Sequence, residues 1–248
     1  MPRLFFLGTS AGAPTRTRNT SAIALQYDDQ QIWMFDAGEG TQRQFIWNGN
    51  IFITQVDVIF ITHLHGDHMY GLFGLLCSLS LGKRQKPVDL IGPVGLRLMI
   101  EVMSPLTDMH LGYVLNIVEL PDNTSTQLSP SIPGSPPCLE HVTTRGCQVT
   151  AFPISHRIRS FAYLIEIPNC SSVFSPKLAL QYRVPFGELW DYLKSGVDVQ
   201  LFDGAVVTAQ QVHELKSHKL LIVGDCGSGY SRPDGSWILQ RDGVENKL

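Results

Sequence analysis

No run of apolar residues in this sequence is long enough to cross a bilayer as a helix, and no signal-peptide core follows Met1-Pro2-Arg3. There is no surplus of basic charge either. With a net charge of −3 and a pI near 6.2, a broad cationic footprint for nucleic acid is excluded, so any RNA contact must come from local groups. Cysteine is sparse and unpatterned. Cys77, Cys138, Cys147, Cys170 and Cys226 are an odd number without a Cys-x-x-Cys pair, which excludes a disulfide framework and a cysteine zinc site. These absences predict a globular cytoplasmic protein with reduced thiols, no membrane segment and no small organic cofactor. Its 248 residues, 44% of them hydrophobic, suffice for one large domain or two small ones.

What is present centres on one stretch. Val56-Asp57-Val58-Ile59-Phe60-Ile61 reads as a buried strand, and it runs straight into Thr62-His63-Leu64-His65-Gly66-Asp67-His68. Two positions apart in extended chain, His63 and His65 share a face and can grip one ion. Gly66 permits a sharp turn, and Asp67 and His68 begin a helix predicted to run through Leu76, directed away from the first pair. That arrangement suits a second ion. Two cations a few ångströms apart clamp the attacking and leaving oxygens of a phosphoryl transfer, so the motif points to metal-assisted hydrolysis.

Along the chain, Leu4–Leu7 and Ser21–Leu25 read as paired strands around a polar loop, Gly8–Asn19, long enough to face a site. A third strand, Gln31–Phe35, ends at Asp36. A helix over Thr41–Trp47 leads to the motif strand, and beyond it Val88–Ile91 is followed by a helix over Leu96–Met103, the βα alternation of an α/β fold. Pro121–Pro137 reads as a mobile surface loop. The strand Gln148–Ile154 delivers His156, another strand covers Phe161–Ile167, and Lys219–Asp225 is a buried strand ending in a carboxylate. His141 reads as a surface residue. Arg16/Arg18, Lys83/Arg84/Lys86 and Arg157/Arg159 are local basic groups able to meet phosphates, although Lys83–Lys86 reads better as a solvated loop.

His63-Leu64-His65-Gly66-Asp67-His68 is similar to the signature of the metallo-β-lactamase superfamily. The stretches Phe6–Gly12, Pro14–Asn19, Phe35–Gln42, Ile61–Leu76 and Phe152–Phe161 resemble one branch of it, ribonuclease Z, the endonucleases that trim the 3′ side of precursor tRNA. Ala162 stands where that family usually has glycine. The resemblance runs from the N-terminus to about Gly227. It implies an α/β, four-layer αββα sandwich forming one domain over residues 1–248, with an arm-like insertion at about 168–204 that grips tRNA. The arm's usual Gly/Pro-rich tip is replaced by Asn169–Phe174. The implied ligands of a first metal are His63, His65 and His156. Asp67, His68 and a bridging Asp225 would hold a second, and Asp67 would also orient or deprotonate the attacking water. Asp36 would steady a ligand histidine through its other ring nitrogen. Arg16, Arg18, Arg157, Arg159 and Lys194 are candidate RNA contacts. Two Zn2+ ions are implied, with Mn2+ or Fe2+ as alternatives, along with precursor tRNA as substrate and a homodimer.

The sequence departs from the family after Gly227. The family's later histidine segments, which carry a general-acid pair and the last ligand of the second metal, are not found, and no histidine follows His218. The expectation is a C-terminally truncated member with an incomplete sandwich, an exposed apolar face, a weakened second metal site and reduced activity. Two alternatives stay open: a weakly active or non-catalytic RNA-binding paralogue, and another hydrolase of the superfamily acting on a thioester or lactam.

Overall fold

A computed structural model describes residues 2–28, 31–120, 126–128 and 147–227. It divides into two compact units, residues 1–165 with 220–248 and residues 166–219. Among the described residues, no helix is long and apolar enough to cross a membrane.

The first unit is built on a six-stranded sheet of strands in sequential order: β1 (Arg3–Gly8), β2 (Ala22–Asp28), β3 (Gln31–Phe35), β4 (Val56–Phe60), β5 (Val88–Pro93) and β6 (Leu115–Leu120). The first three pair antiparallel, and β3 to β6 pair parallel. Every residue of β4 is buried, as expected for a β-branched and aromatic strand with parallel partners on both sides. The parallel strands all end at one edge of the sheet, and that edge carries the site.

One face of this sheet is covered by helices. In α1 (Thr41–Asn48), α3 (Leu72–Leu81) and α4 (Leu96–Leu106), residues such as Leu72, Leu75, Leu76 and Leu79 recur at three- and four-residue spacing, and they pack on Met34, Ile59 and Leu90. The helix predicted from the motif to Leu76 is in fact broken. A single turn, α2 (Gly66–Met69), is separated from α3 because the backbone at Gly71 closes on the β3 exit: its N–H donates to Ala37 O at 2.9 Å, and a Cβ there would lie 1.9 Å from Gly38 O.

On the other face, Phe35 and Phe60 stack at 5.0 Å and meet Tyr163, whose hydroxyl donates to Ile61 O at 2.7 Å. Tyr163 belongs to a second sheet with strands β7 (Thr126–Leu128), β8 (Gln148–Ile154), β9 (Ser160–Phe174) and β12 (His213–Val223) in the order β12-β9-β8-β7. The strand expected to stop at Ile167 continues to Phe174, through the segment read as an altered arm tip. The last strand starts at His213, six residues before its expected start. Thr126–Leu128 is a strand inside the predicted Pro121–Pro137 loop; the rest of that loop, His141, and the residues after Gly227 lie outside the described residues. Cys77 and Cys226 are thiols.

The second unit carries α5 (Pro176–Gln181), α6 (Glu188–Lys194) and a two-stranded pair, β10 (Val199–Gln200) with β11 (Val206–Val207). Its small core gathers Ala179, Val184, Leu193 and Val212 around Trp190, whose indole N–H donates to Val184 O at 3.2 Å. Ser175 caps α5 and donates to Glu214 Oε1 at 2.7 Å. Lys194, at the last turn of α6, pairs with Asp191 at 2.8 Å.

At the end of β4 away from the site, the Lys83–Lys86 segment is not simply a solvated loop. Arg84 is buried, pairs with Asp57, and donates to Thr54 O at 2.7 Å and Lys86 O at 2.8 Å. Its neighbour Asp89 is also buried and takes one hydrogen bond, from Asn116 Nδ2 at 2.9 Å, while Oδ2 has no partner among the described atoms. Burial, with the Asp57 charge adding to it, pushes the Asp89 carboxyl up to about 7 against the Asn116 bond. A carboxyl raised in the folded state keeps its proton where the unfolded chain has lost it, so stability falls as pH rises from about 4 to 7 and levels off above that. Asp89→Asn should remove up to about 1.4 kcal/mol of this loss per pH unit and stabilise the protein above pH 7. Denaturant titrations at pH 5, 6 and 7.5 check this, and an unchanged pH slope in the variant would refute it.

Candidate metal centre

The site lies where the parallel strands end. β3 exits at Asp36, a non-glycine residue at φ 61°, a strained conformation that costs about 1–3 kcal/mol and persists only when its surroundings hold it. Here they do. The Asp36 N–H donates to Phe60 O at 2.7 Å, and its buried carboxylate accepts three hydrogen bonds: Thr62 N–H to Oδ1 at 2.7 Å, Thr62 hydroxyl to Oδ2 at 2.9 Å, and His68 Nδ1–H to Oδ2 at 2.7 Å. Thr62 Oγ1, having given its proton to Asp36, accepts from His63 Nδ1–H at 3.0 Å. This one carboxylate therefore sets the tautomer of two histidines, leaving Nε2 of both His63 and His68 as bare lone pairs.

Those lone pairs converge with other donors. His63, His65 and His156 offer ring nitrogens within 4.8 Å of one another, and the ring nitrogens of His63 and His68 lie equally close to a carboxylate oxygen of Asp225. His65 Nδ1 faces His156 Nε2 at 3.1 Å, and His68 Nε2 stands 3.5 Å from Asp225 Oδ1 and 3.6 Å from Asp67 Oδ2. His63 is delivered by a bridge pairing to Ser160, His156 by the turn after β8, and Asp225 by the end of β12, where Ser160 Oγ donates to Asp225 O at 3.0 Å. Asp67 is held from a distant segment: Gly12 N–H donates to its Oδ2 at 2.6 Å.

The electrostatics favour a cation. Burial, then His68, His65 and His156, push His63 down to about 3, so it is neutral at physiological pH. His65 is lowered by burial and by His156 and Arg157. On His68, burial alone would lower the pKa, but the Asp36 hydrogen bond and charge outweigh it and the value is raised. Burial likewise works to raise Asp67, yet the Gly12 N–H and the His68 charge hold it below the usual carboxylate range. His63 Nε2 is buried with no hydrogen-bond partner among the described atoms. An orphaned buried nitrogen beside two facing imidazoles and two carboxylates is the environment of a divalent metal, and the donor types suit one.

All six predicted donors thus come together, with Asp36 behind them. Four of them, His65, Asp67, His156 and Asp225, line a cavity of about 480 Å3 together with Arg157, while His63 and His68 are buried. Arg157 Nη2 lies 3.5 Å from His65 Nε2, and Arg159 is exposed beyond it. Arg16 and Arg18 instead border a neighbouring groove, and Lys194 belongs to the second unit. Two participants were not foreseen in the sequence. Thr62, next to His63, carries the proton link to Asp36, and Gly12 holds Asp67; the length of the Gly8–Asn19 loop was the only signal for the latter.

Fold and donor cluster define a protein of the metallo-β-lactamase fold with a candidate divalent-metal centre. Ribonuclease BN of Escherichia coli O17:K52:H18 is 36% identical over 229 residues, covering 90% of this chain and 70% of that protein. Ribonuclease Z of Gloeothece citriformis is 38% identical over 208 residues, 84% of this chain and 60% of that protein. Among solved structures, the short form of human tRNase Z superposes with a TM-score of 0.56 at 34% identity, covering 66% of this chain and 64% of that one. The chain belongs to the ribonuclease Z family. It spans about 60 to 70% of the length of these relatives. The family model described as "Anti-Pycsar protein Apyc1" also matches residues 2–102.

Because Asp36 orients two ligand rings, Asp36→Asn should weaken metal binding about 10–100-fold while the fold survives. Competition with a chromophoric chelator measures this; an affinity equal to the parent's would remove Asp36 from the metal site.

Proposed function

We propose that this chain is a zinc-dependent endoribonuclease that removes 3′ trailers from precursor tRNA. The observation that carries the reading is the gathering of His63, His65, His156, His68, Asp67 and Asp225, four of which line one open cavity, in a chain of the ribonuclease Z family. His63, His65 and His156 would hold one metal; His68, Asp67 and Asp225 would hold a second. A divalent metal there supplies Lewis acidity, making water more acidic and offsetting the charge of the phosphodiester.

The chain's own groups do the rest. Asp67, kept ionised and aimed by the Gly12 N–H, orients the attacking water and accepts its proton. Arg157, at the cavity wall, meets a non-bridging phosphate oxygen. The cavity is open enough to admit a backbone phosphate, and its wall at Pro14, Glu39 and Tyr70 would flank the nucleotides on either side of the cut. Asp67→Ala should lower the cleavage rate by about 10^2–10^4-fold with little change in melting temperature. Single-turnover assays on precursor tRNA test this, and a rate equal to the parent's would overturn the role given to Asp67.

The two metal positions are not equivalent. His63 Nδ1 is committed to Thr62, so its single Nε2 lone pair can serve one ion, although it lies within reach of both donor sets. The His63/His65/His156 position should therefore bind tightly and the other weakly. Elemental analysis after dialysis is expected to find close to one retained metal per chain, rising toward two with excess zinc. Two equally retained ions would contradict this. A chain that binds metal and tRNA but does not cleave would favour the RNA-binding alternative.

A further inference from the structure

Beside the metal cavity lies a second hollow, of about 580 Å3, that the reaction does not use. Pro14 and Glu39 line both. Its floor is the edge strand β1 with α1, and its far wall is the polar loop that also supplies Gly12 to Asp67. The surface is unusual for a solvated groove in carrying two exposed aromatic rings, Phe6 at 66% and Trp47 at 62%. The Arg43 guanidinium lies over the Trp47 ring at 4.1 Å, forming a flat cationic and aromatic plate. Arg16 and Arg18 face it from the loop, which is held in shape by Thr9 N–H and Ser10 N–H to Asn19 O at 2.9 and 2.8 Å, Thr15 N–H to Arg18 O at 2.8 Å, and Asn19 Nδ2–H to Glu39 O at 2.7 Å. Three arginines against one glutamate leave the hollow positive in a chain whose net charge is negative.

Exposed rings beside arginines suit one ligand chemistry best. Bases that are free of a duplex stack on flat aromatic and guanidinium surfaces, while the phosphates between them meet cationic side chains. A paired A-form stem hides its base faces and would leave the plate idle. We infer that this groove binds single-stranded RNA, with bases on Trp47–Arg43 and Phe6 and phosphates on Arg16 and Arg18, and that it receives the 3′ trailer leaving the metal cavity past Pro14 and Glu39. The assignment to the trailer rests on the proposed function; the affinity for single-stranded RNA does not.

The test separates the two. Binding of a short fluorescein-labelled oligouridylate to the metal-loaded full chain is followed by anisotropy, in parallel with cleavage of precursor tRNAs bearing short and long trailers. Trp47→Ala should raise the oligouridylate Kd by at least about fivefold, whereas Trp47→Phe retains most of the affinity. Removing Arg16 or Arg18 as glutamine should lower the slope of log K against log salt by about 0.7 each, the signature of a lost single-strand phosphate contact. In cleavage, Trp47→Ala should raise KM for long-trailer substrates and leave kcat and the short-trailer KM near the parent's. All these side chains are exposed, so melting temperatures should stay at the parent's value. An oligouridylate Kd unchanged in both Trp47→Ala and Arg43→Gln refutes the groove even if tRNA is cleaved. A Kd that rises as expected in a protein without cleavage leaves the groove standing and rejects the proposed function. Equal binding of a blunt RNA duplex and the single strand would also refute it.

Discussion

Everything at the metal centre depends on a buried carboxylate at the end of β3. Asp36 sits in a left-handed backbone conformation, out of water, and accepts three hydrogen bonds that tie together the exits of β3 and β4 and the first turn of α2. A buried carboxylate accepting only two of them would be an expensive defect; with all three it is the fixed point from which two imidazoles are aimed. The strained φ and the closing of Gly71 on Ala37 belong to the same arrangement, since both bring the helix start onto the strand exit. The strain is stored where the chemistry is, as is common at functional sites.

Placing the donors on strand ends explains how a site assembled from distant segments keeps its geometry. β4 is buried along its whole length and cannot shift without moving both neighbours. The Phe35–Phe60–Tyr163 cluster joins the two sheets directly beneath the donors, so Ser160, which steadies His63 and Asp225, is fixed relative to Asp36 through packed aromatic rings. Exposed groups complete the site. Asp225, with its side chain about half exposed, and Arg157 stand at the open side of the cavity, where substrate must enter.

Much of this was legible in the sequence. The run Val56–Ile61 followed by four metal-ligand side chains announced a buried strand ending at a candidate metal site, because strand periodicity and ligand chemistry both act over a few residues. His156 and Asp225 were reached through resemblance, since nothing local in Ile154–Arg157 or Val223–Cys226 distinguishes a ligand from a loop residue. What the sequence hid depends on close approach between distant segments. The break at Gly71 comes from a backbone contact with Ala37 that helical periodicity cannot register. Arg84 lay in a basic run that reads as solvated, and only the fold brings Asp57 to it. The extension of β9 to Phe174 and the early start of β12 likewise reflect pairing between strands far apart in the chain, which overrides local preference for a turn.

The order of the donors along the chain has a consequence for folding. His63, His65, Asp67 and His68 emerge early, His156 after β8, and Asp225 only behind β12, the last described strand. Until β12 has paired with β9, the chain lacks one of the six donors, Asp225, and loop closure over more than half its length must precede its arrival. The donor set that contains Asp225 is therefore completed last, by a strand pairing that closes a nearly finished fold. A divalent ion held there would in turn favour the paired state of β9 and β12, because donors brought together by folding are held together by the ion they share.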